Sequence, residues 1–257
     1  MSSTKQLFVI WCLSATAQTV AWTWQRRNHN AGIVDAVWAA SLGSAALLLA
    51  ALGNGSTVSR VMLAALGGIW GWRLALYLLR RVRGEHEDGR YARLRTLWGD
   101  DQRKWFAFFQ FQALLVVLFA IPFIPASNQA EAPTLIWLVS AVLIWVFAVA
   151  GETLADAQLA QFRATPGNQG LVCREGLWRY SRHPNYFFEW LHWFSYVALA
   201  SGAAISWLGP VLMYVFLRWL SGIPHTEAQA LRTRGELYRA YQRTTPMLIP
   251  WFPRSEP

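Results

Sequence analysis

The chain has 257 residues, 54% of them hydrophobic and only 14% charged, with 16 Trp and a formal net charge of +9. A soluble domain carries about 25% charged residues, so an ordinary water-soluble enzyme is excluded. Nucleic-acid binding is excluded as well. The arginines flank apolar runs, as topology and headgroup anchors do, instead of forming a basic binding face.

In chain order, residues 7–25, 33–52, 61–79, 105–125 and 133–151 are nearly charge-free runs. Their length matches a helix crossing a hydrocarbon core of ~30 Å. Arg26 and Arg27 follow the first run and do not precede it, so it is expected to be a retained span and not a signal peptide. Segments 53–57 and 126–132 read as short external turns. The loop at 80–104 mixes Glu85, Glu87 and Asp88 with arginines and reads as a solvated or interfacial helix turn. Residues 156–185 form a turn-rich loop through Pro166-Gly-Asn-Gln-Gly170 that returns to the membrane at Pro184. Gly202 and Gly209-Pro210 divide the apolar stretch 186–221 into two expected spans, 186–201 and 204–221. Residues 225–242 read as one amphipathic helix with Leu231, Tyr238 and Tyr241 on a similar face. The end, Met247–Pro253, is too short to span and should lie against the membrane surface.

These elements predict an all-α integral membrane protein of seven transmembrane helices in a single domain, 1–257. Arg26 and Arg27, the cations between Arg80 and Lys104, Arg163, Arg174, Arg179, Arg182, and Arg232, Arg234, Arg239, Arg243 and Arg254 all then fall on one side. The other keeps only Lys5 and Arg60, so the positive-inside rule places the N-terminus outside and the C-terminus in the cytoplasm. Cys12 lies in the first span and Cys173 in a cytoplasmic loop, so no disulfide is expected. The five histidines show no HxxxH spacing and there is no CxxC, which argues against a zinc site. No glycine-rich phosphate loop occurs either.

Four groups carry possible chemistry. The first is Gly176–Glu189, where Arg179, Tyr180, Arg182, His183, Asn185, Tyr186 and Glu189 crowd the entrance of an apolar segment. Charge there is costly unless it is paired, solvated or holding a ligand. Asn185 and Glu189 share one face of a helix that Pro184 starts, which suits a nicotinamide carboxamide or a ribose edge. Guanidinium groups suit phosphates; the alternative is that the arginines face headgroups and pair with Glu189. The second group is Glu152, Asp156 and Arg163, whose carboxylates share a face and bind ligand hydroxyls or pair with loop arginines. The third is Asp35, three residues before Trp38. It is either a protonated acid in apolar surroundings able to polarise a carbonyl or a cap at a helix start. The fourth is His225, Glu227, Tyr238 and Tyr241, a solvated face or a cofactor wall.

Leu177-Trp-Arg-Tyr-Ser-Arg-His-Pro-Asn-Tyr-Phe-Phe-Glu189, followed by Tyr238-Arg-Ala-Tyr-Gln-Arg-Thr-Thr-Pro-Met-Leu-Ile-Pro250, resembles the C-terminal domain of the steroid 5α-reductase family, in particular its bacterial branch. The resemblance covers about 150–253, with 1–149 similar mainly in topology. It implies an NADPH-dependent reductase of the bacterial inner membrane, acting on the C=C bond conjugated to the ketone of a lipophilic substrate. The expected organisation is substrate-cavity helices over 1–125 and a cofactor-binding region over 133–253, whose site faces the cytoplasm. Asn185 and Glu189 match family residues on the nicotinamide side, Asp156 and Arg163 match residues lining the nucleotide site, and Tyr241 matches the C-terminal cofactor wall. Glu152, Arg179, Tyr180, Arg182, His183, Tyr186, Glu227 and Tyr238 complete the expected cofactor site. Asp35 is similar to the family's carbonyl-binding glutamate, with Trp38, Trp70 and Arg73 as expected substrate neighbours. Trp70 and Trp72 stand near where a partner tyrosine belongs. S-adenosylmethionine-dependent methyltransferases share the Arg-His-Pro-x-Tyr signature and remain the alternative, although Glu227 follows Thr226 where they carry paired glutamates. A non-catalytic lipid-binding protein is the third reading. Membrane lipid and a lipophilic substrate are the expected partners of a monomer.

Overall fold

Every regular element in the computed structural model is helical; the structure describes residues 1–255. In chain order the α-helices are α1 (Ser3–Asn28), α2 (Ile33–Leu52), α3 (Thr57–Gly84), α4 (Gly89–Trp98), α5 (Gln102–Ala120), α6 (Ile124–Asn128), α7 (Leu135–Ala164), α8 (Pro184–His192), α9 (Phe194–Leu199), α10 (Leu208–Val215), α11 (Ile223–Arg234) and α12 (Glu236–Thr244). Among the described residues, six helical runs are long and apolar enough to cross a membrane: Ser3–Asn28, Ile33–Leu52, Thr57–Gly84, Gln102–Asn128, Leu135–Ala164 and Ala204–Arg234. The chain is thus a helical membrane protein. The expected span at 186–201 takes the form of two short helices, α8 and α9, interrupted at Trp193.

The chain divides into two compact units, Met1–Val139 with Tyr196–Gly209, and Ser140–Ser195 with Pro210–Pro257. In the first, α1 reverses the soluble pattern. Gln6, Ser14, Gln18 and Gln25 are buried, while Phe8, Leu13 and Val20 are exposed. Hydrocarbon accepts apolar side chains, so inward polar groups are free to tie helices together. Gln6 Nε2 donates to the Leu52 carbonyl at 2.9 Å and Gln25 Nε2 to Gln102 Oε1 at 2.8 Å. The α2–α3 seam is built from small residues. A Cβ on Gly71 would lie 2.5 Å from Gly43 Cα, and one on Gly67 would lie 2.5 Å from Ala46 Cβ. Backbones this close permit no larger side chain.

The expected interfacial turn at 80–104 contains a full helix, α4. Asp88 caps it by accepting from Arg90 N, and Asp101 caps α5 by accepting from Arg103 N. Glu87 fastens the segment to the α1–α2 turn. Its Oε1 accepts from Ala31 N at 2.7 Å and from Arg95 Nη2 at 2.8 Å.

In the second unit, α7 runs to Ala164, so Asp156 and Arg163 sit on a helix instead of in the expected loop. The single helix expected over 225–242 is two, α11 and α12. They break at Gly235, whose φ of 51° is a conformation glycine adopts without steric cost. Pro210 does not interrupt α10, because it lies in the first turn, where no intrahelical N–H is lost.

Candidate functional site

The second unit assembles most of the residues singled out between 152 and 241. Gly151 is the reason α7 and α8 approach closely: a Cβ there would meet the Phe188 ring at 2.4 Å. The crossing sets the Glu152–Asp156 face of α7 near the start of α8, where Asn185 Nδ2 donates to Asp156 Oδ1 at 3.1 Å. Asn185 Oδ1 accepts from Tyr186 N at 3.0 Å, which fixes the amide's orientation. One Asn185 amide hydrogen then has no partner among the described residues. Glu152 is buried, while Asp156 and Glu189 are half-buried and Arg163 is exposed at the end of α7.

The turn at Gly176–Arg179 is pinned to α7. Trp178 Nε1 donates to the Ala155 carbonyl at 2.9 Å, and Leu177 N donates to Gln158 Oε1 at 2.9 Å. Tyr241 locks it from the other side by donating its hydroxyl to the carbonyls of Trp178 and Ser181, the latter at 3.0 Å. Burial holds the Tyr241 phenol well above its ordinary pKa, so it stays a donor. The Tyr241 hydroxyl is therefore an internal brace.

Glu227 is the centre of a second cluster. Its Oε1 accepts from Arg182 Nε at 2.7 Å, faces His183 Nε2 at 3.2 Å, and accepts from the Tyr238 hydroxyl at 3.4 Å. Its Oε2 accepts from Gln242 Nε2 at 2.9 Å. Arg182 also donates from Nη1 to the carbonyls of Gln242 and Thr245 at 3.1 and 2.8 Å. Arg182 is thus spent on closing α11 and α12 over the 181–183 strap, whereas Arg179 and Tyr180 point outward and are exposed. His183 is 2% exposed, and burial pushes its pKa below the ordinary value against the opposing pull of Glu227. Its ring stacks on Tyr186 at 5.4 Å, and the Tyr186 hydroxyl meets Thr226 Oγ1 at 3.1 Å.

In the first unit, Asp35 is not isolated in apolar surroundings. Its side chain is 34% exposed; Oδ1 accepts from the Tyr91 hydroxyl at 2.7 Å and Oδ2 from Arg90 Nη2 at 3.3 Å. The tyrosine beside this carboxylate comes from α4, not from the 70–72 region. Trp70 is fully buried, Trp72 is exposed, and Trp38 packs edge-on against Phe119 at 5.5 Å. Arg73 is half-buried on α3. Tyr91 and Gln242 are the site residues that reading the sequence missed. Each reaches its partner across a chain reversal that no local spacing reveals.

An open groove of about 570 Å³ runs along α7, lined by Trp145, Val149, Ala150, Leu154 and Thr153. The Thr153 hydroxyl returns to the Val149 carbonyl at 2.7 Å, so the groove offers lipid an apolar face and converges no polar group on it.

A helical membrane protein with a polar cluster where α8, α11 and α12 meet is the class these features define. The chain belongs to a family described as protein of unknown function (DUF1295), which matches residues 21–245. No curated protein and no solved structure matches it significantly.

Proposed function

We propose that the protein is an NADPH-dependent membrane reductase acting on the C=C bond of a lipophilic enone, as its resemblance to the steroid 5α-reductases implies. The observation that carries this reading is the Asn185–Asp156 hydrogen bond, which joins two residues that the resemblance assigns to one cofactor. The residues fit the group. The remaining Asn185 amide hydrogen and the adjoining carboxylates suit the carboxamide and ribose hydroxyls, and Arg179 is available for phosphate where Arg182 is not. When bound, NADPH supplies the hydride. Asn185, held by Asp156 and Tyr186 N, orients the ring. Glu227 keeps Arg182 and His183 fixed so that the 181–183 strap does not collapse into the site.

Tyr91, kept protonated by burial and by the neighbouring Asp35 carboxylate, has the donor a substrate carbonyl needs. It would give up its bond to Asp35 to make that contact, and Asp35 would remain anchored by Arg90. The seventh crossing through α8 and α9, an outside N-terminus and a cytoplasmic cofactor site in a bacterial inner membrane belong to the same reading. The one-sided distribution of arginines supports them.

Purified protein in detergent tests the reading. NADPH, but not S-adenosylmethionine, is expected to raise the melting temperature, and a 3-oxo-Δ4 steroid or another lipophilic enone is expected to accelerate NADPH oxidation. Stabilisation by S-adenosylmethionine alone would make the methyltransferase correct. Bound lipid without affinity for either cofactor would favour a lipid-binding protein.

A further inference from the structure

Three arginines of the second unit converge away from the Glu227 cluster. Arg174, Arg179 and Arg254, with Thr244, Thr245 and Pro253, line a cleft of about 340 Å³ between the 174–179 turn and the C-terminal segment. Among the described residues no carboxylate lines it. Arg174 is fixed, donating from Nη2 to the Leu237 carbonyl at 3.1 Å with its guanidinium 5.5 Å from the centre of the Tyr241 ring. Arg254 is tethered through its backbone N–H, which donates to the Thr244 carbonyl at 2.8 Å. The guanidinium groups of Arg179 and Arg254 make no ion pair or hydrogen bond among the described residues. A further group points the same way: Thr245 is 5% exposed, lines the cleft, and its hydroxyl makes no hydrogen bond among the described residues.

Like charges held in one cleft repel, and more strongly where the dielectric falls. An anion between them reverses the sign. Forked guanidinium donors match the oxygens of a phosphate better than a point charge does, and the Thr245 hydroxyl adds a neutral donor. We propose that this cleft binds a phosphate ester. The ester is either a soluble phosphorylated ligand or the headgroup of an anionic phospholipid. The cleft shares Arg179 with the phosphate contact proposed for NADPH, but Arg174, Arg254 and Thr245 are not part of that proposed site, and the inference does not depend on enone reduction.

The test uses the full chain, delipidated in non-ionic detergent, with pyrophosphate and adenosine 2′,5′-bisphosphate as probes in a calorimetric or thermal-shift titration. Both probes should stabilise the protein. Arg179→Ala and Arg254→Ala should each weaken binding about tenfold, in line with the loss of a charge-assisted hydrogen bond. Thr245→Val keeps the side chain's volume, so it tests the site even if an arginine variant folds poorly; it should weaken binding several-fold. Arg243→Ala, whose arginine pairs with Glu236 outside the cleft, should bind as the parent does. In nanodiscs, loss of bisphosphate binding when phosphatidylglycerol replaces phosphatidylcholine assigns the cleft to a lipid headgroup; retained binding assigns it to a soluble ester. The proposal is overturned if the arginine variants bind like the parent, or if neither probe nor phosphatidylglycerol binds.

Discussion

Each of the two units has its own internal means of cohesion, and the two means are opposite. The first is a set of long spans whose backbones touch through Gly43, Gly67 and Gly71 and whose buried glutamines reach carbonyls and amides of neighbouring helices. The second gathers short helices and irregular strap around one carboxylate, Glu227, which receives donors from Arg182, Tyr238 and Gln242 and contacts His183. Close packing tolerates loss of a polar group and fails on added volume. A charge-centred cluster does the reverse. The second unit thus carries its polar cluster where its own fold depends on charge, which gives the candidate site there a rigid frame and makes it fragile.

The largest stability effect should come from breaking that centre. Glu227→Ala leaves Arg182 and His183 without their shared carboxylate; removing one partner of a fully buried pair costs about 3–5 kcal/mol, and the partial exposure of Arg182 and Glu227 places this loss at or below the lower end. The melting temperature in detergent is expected to fall sharply, and Glu227→Ala with Arg182→Ala should cost less than the two changes summed. Full additivity would mean that the cluster is not a unit.

Tyr91→Phe separates chemistry from packing in the first unit. Losing the hydrogen bond to Asp35 should cost about 1 kcal/mol of stability, while enone reduction, if Tyr91 is the donor, should slow by about 10²-fold. Unchanged turnover would reduce the Asp35–Tyr91–Arg90 group to a fastening for α4.

Gly71→Leu probes the close packing of the first unit. Its side chain has nowhere to go beside Gly43, and overpacking of this kind costs about 1–3 kcal/mol. The corresponding change at Gly84, which has nothing near it, should be close to neutral. Equal effects at the two positions would contradict the close-packed seam.

The helical architecture was readable because hydrocarbon imposes length and apolarity on a span, and six runs carry that signature from Ser3 to Arg234. The 16-residue stretch of α8 and α9 was harder, since its apolar composition says nothing of the break at Trp193. In the candidate site, Asn185 was readable from its place after Pro184. Its bond to Asp156 was not, because it depends on Gly151 letting Phe188 in. Tyr91 was missed for a related reason: a mixed-charge loop hides a helix whose caps, Asp88 and Asp101 for the next one, resemble ordinary surface charge.

The smallest effect is a slope. Buried His183 resists protonation in the folded state, while the unfolded chain protonates near the ordinary value of 6.5. The unfolded state therefore binds more protons as pH falls below that value, and stability declines on acidification. In melting curves recorded from pH 8 down to about pH 5.5, His183→Gln should flatten this decline by up to about 1.4 kcal/mol per pH unit. An unchanged slope would assign the acid sensitivity to other groups.

NADPH affinity, measured by calorimetry on the parent and on Asn185→Ala, decides whether the Asn185–Asp156 pair holds a nicotinamide cofactor as proposed. The parent is expected to bind NADPH, and the variant to bind it about tenfold or more weakly, while the melting temperature of the free protein changes little. Equal NADPH affinity in the two proteins, or none in the folded parent, would contradict the proposal.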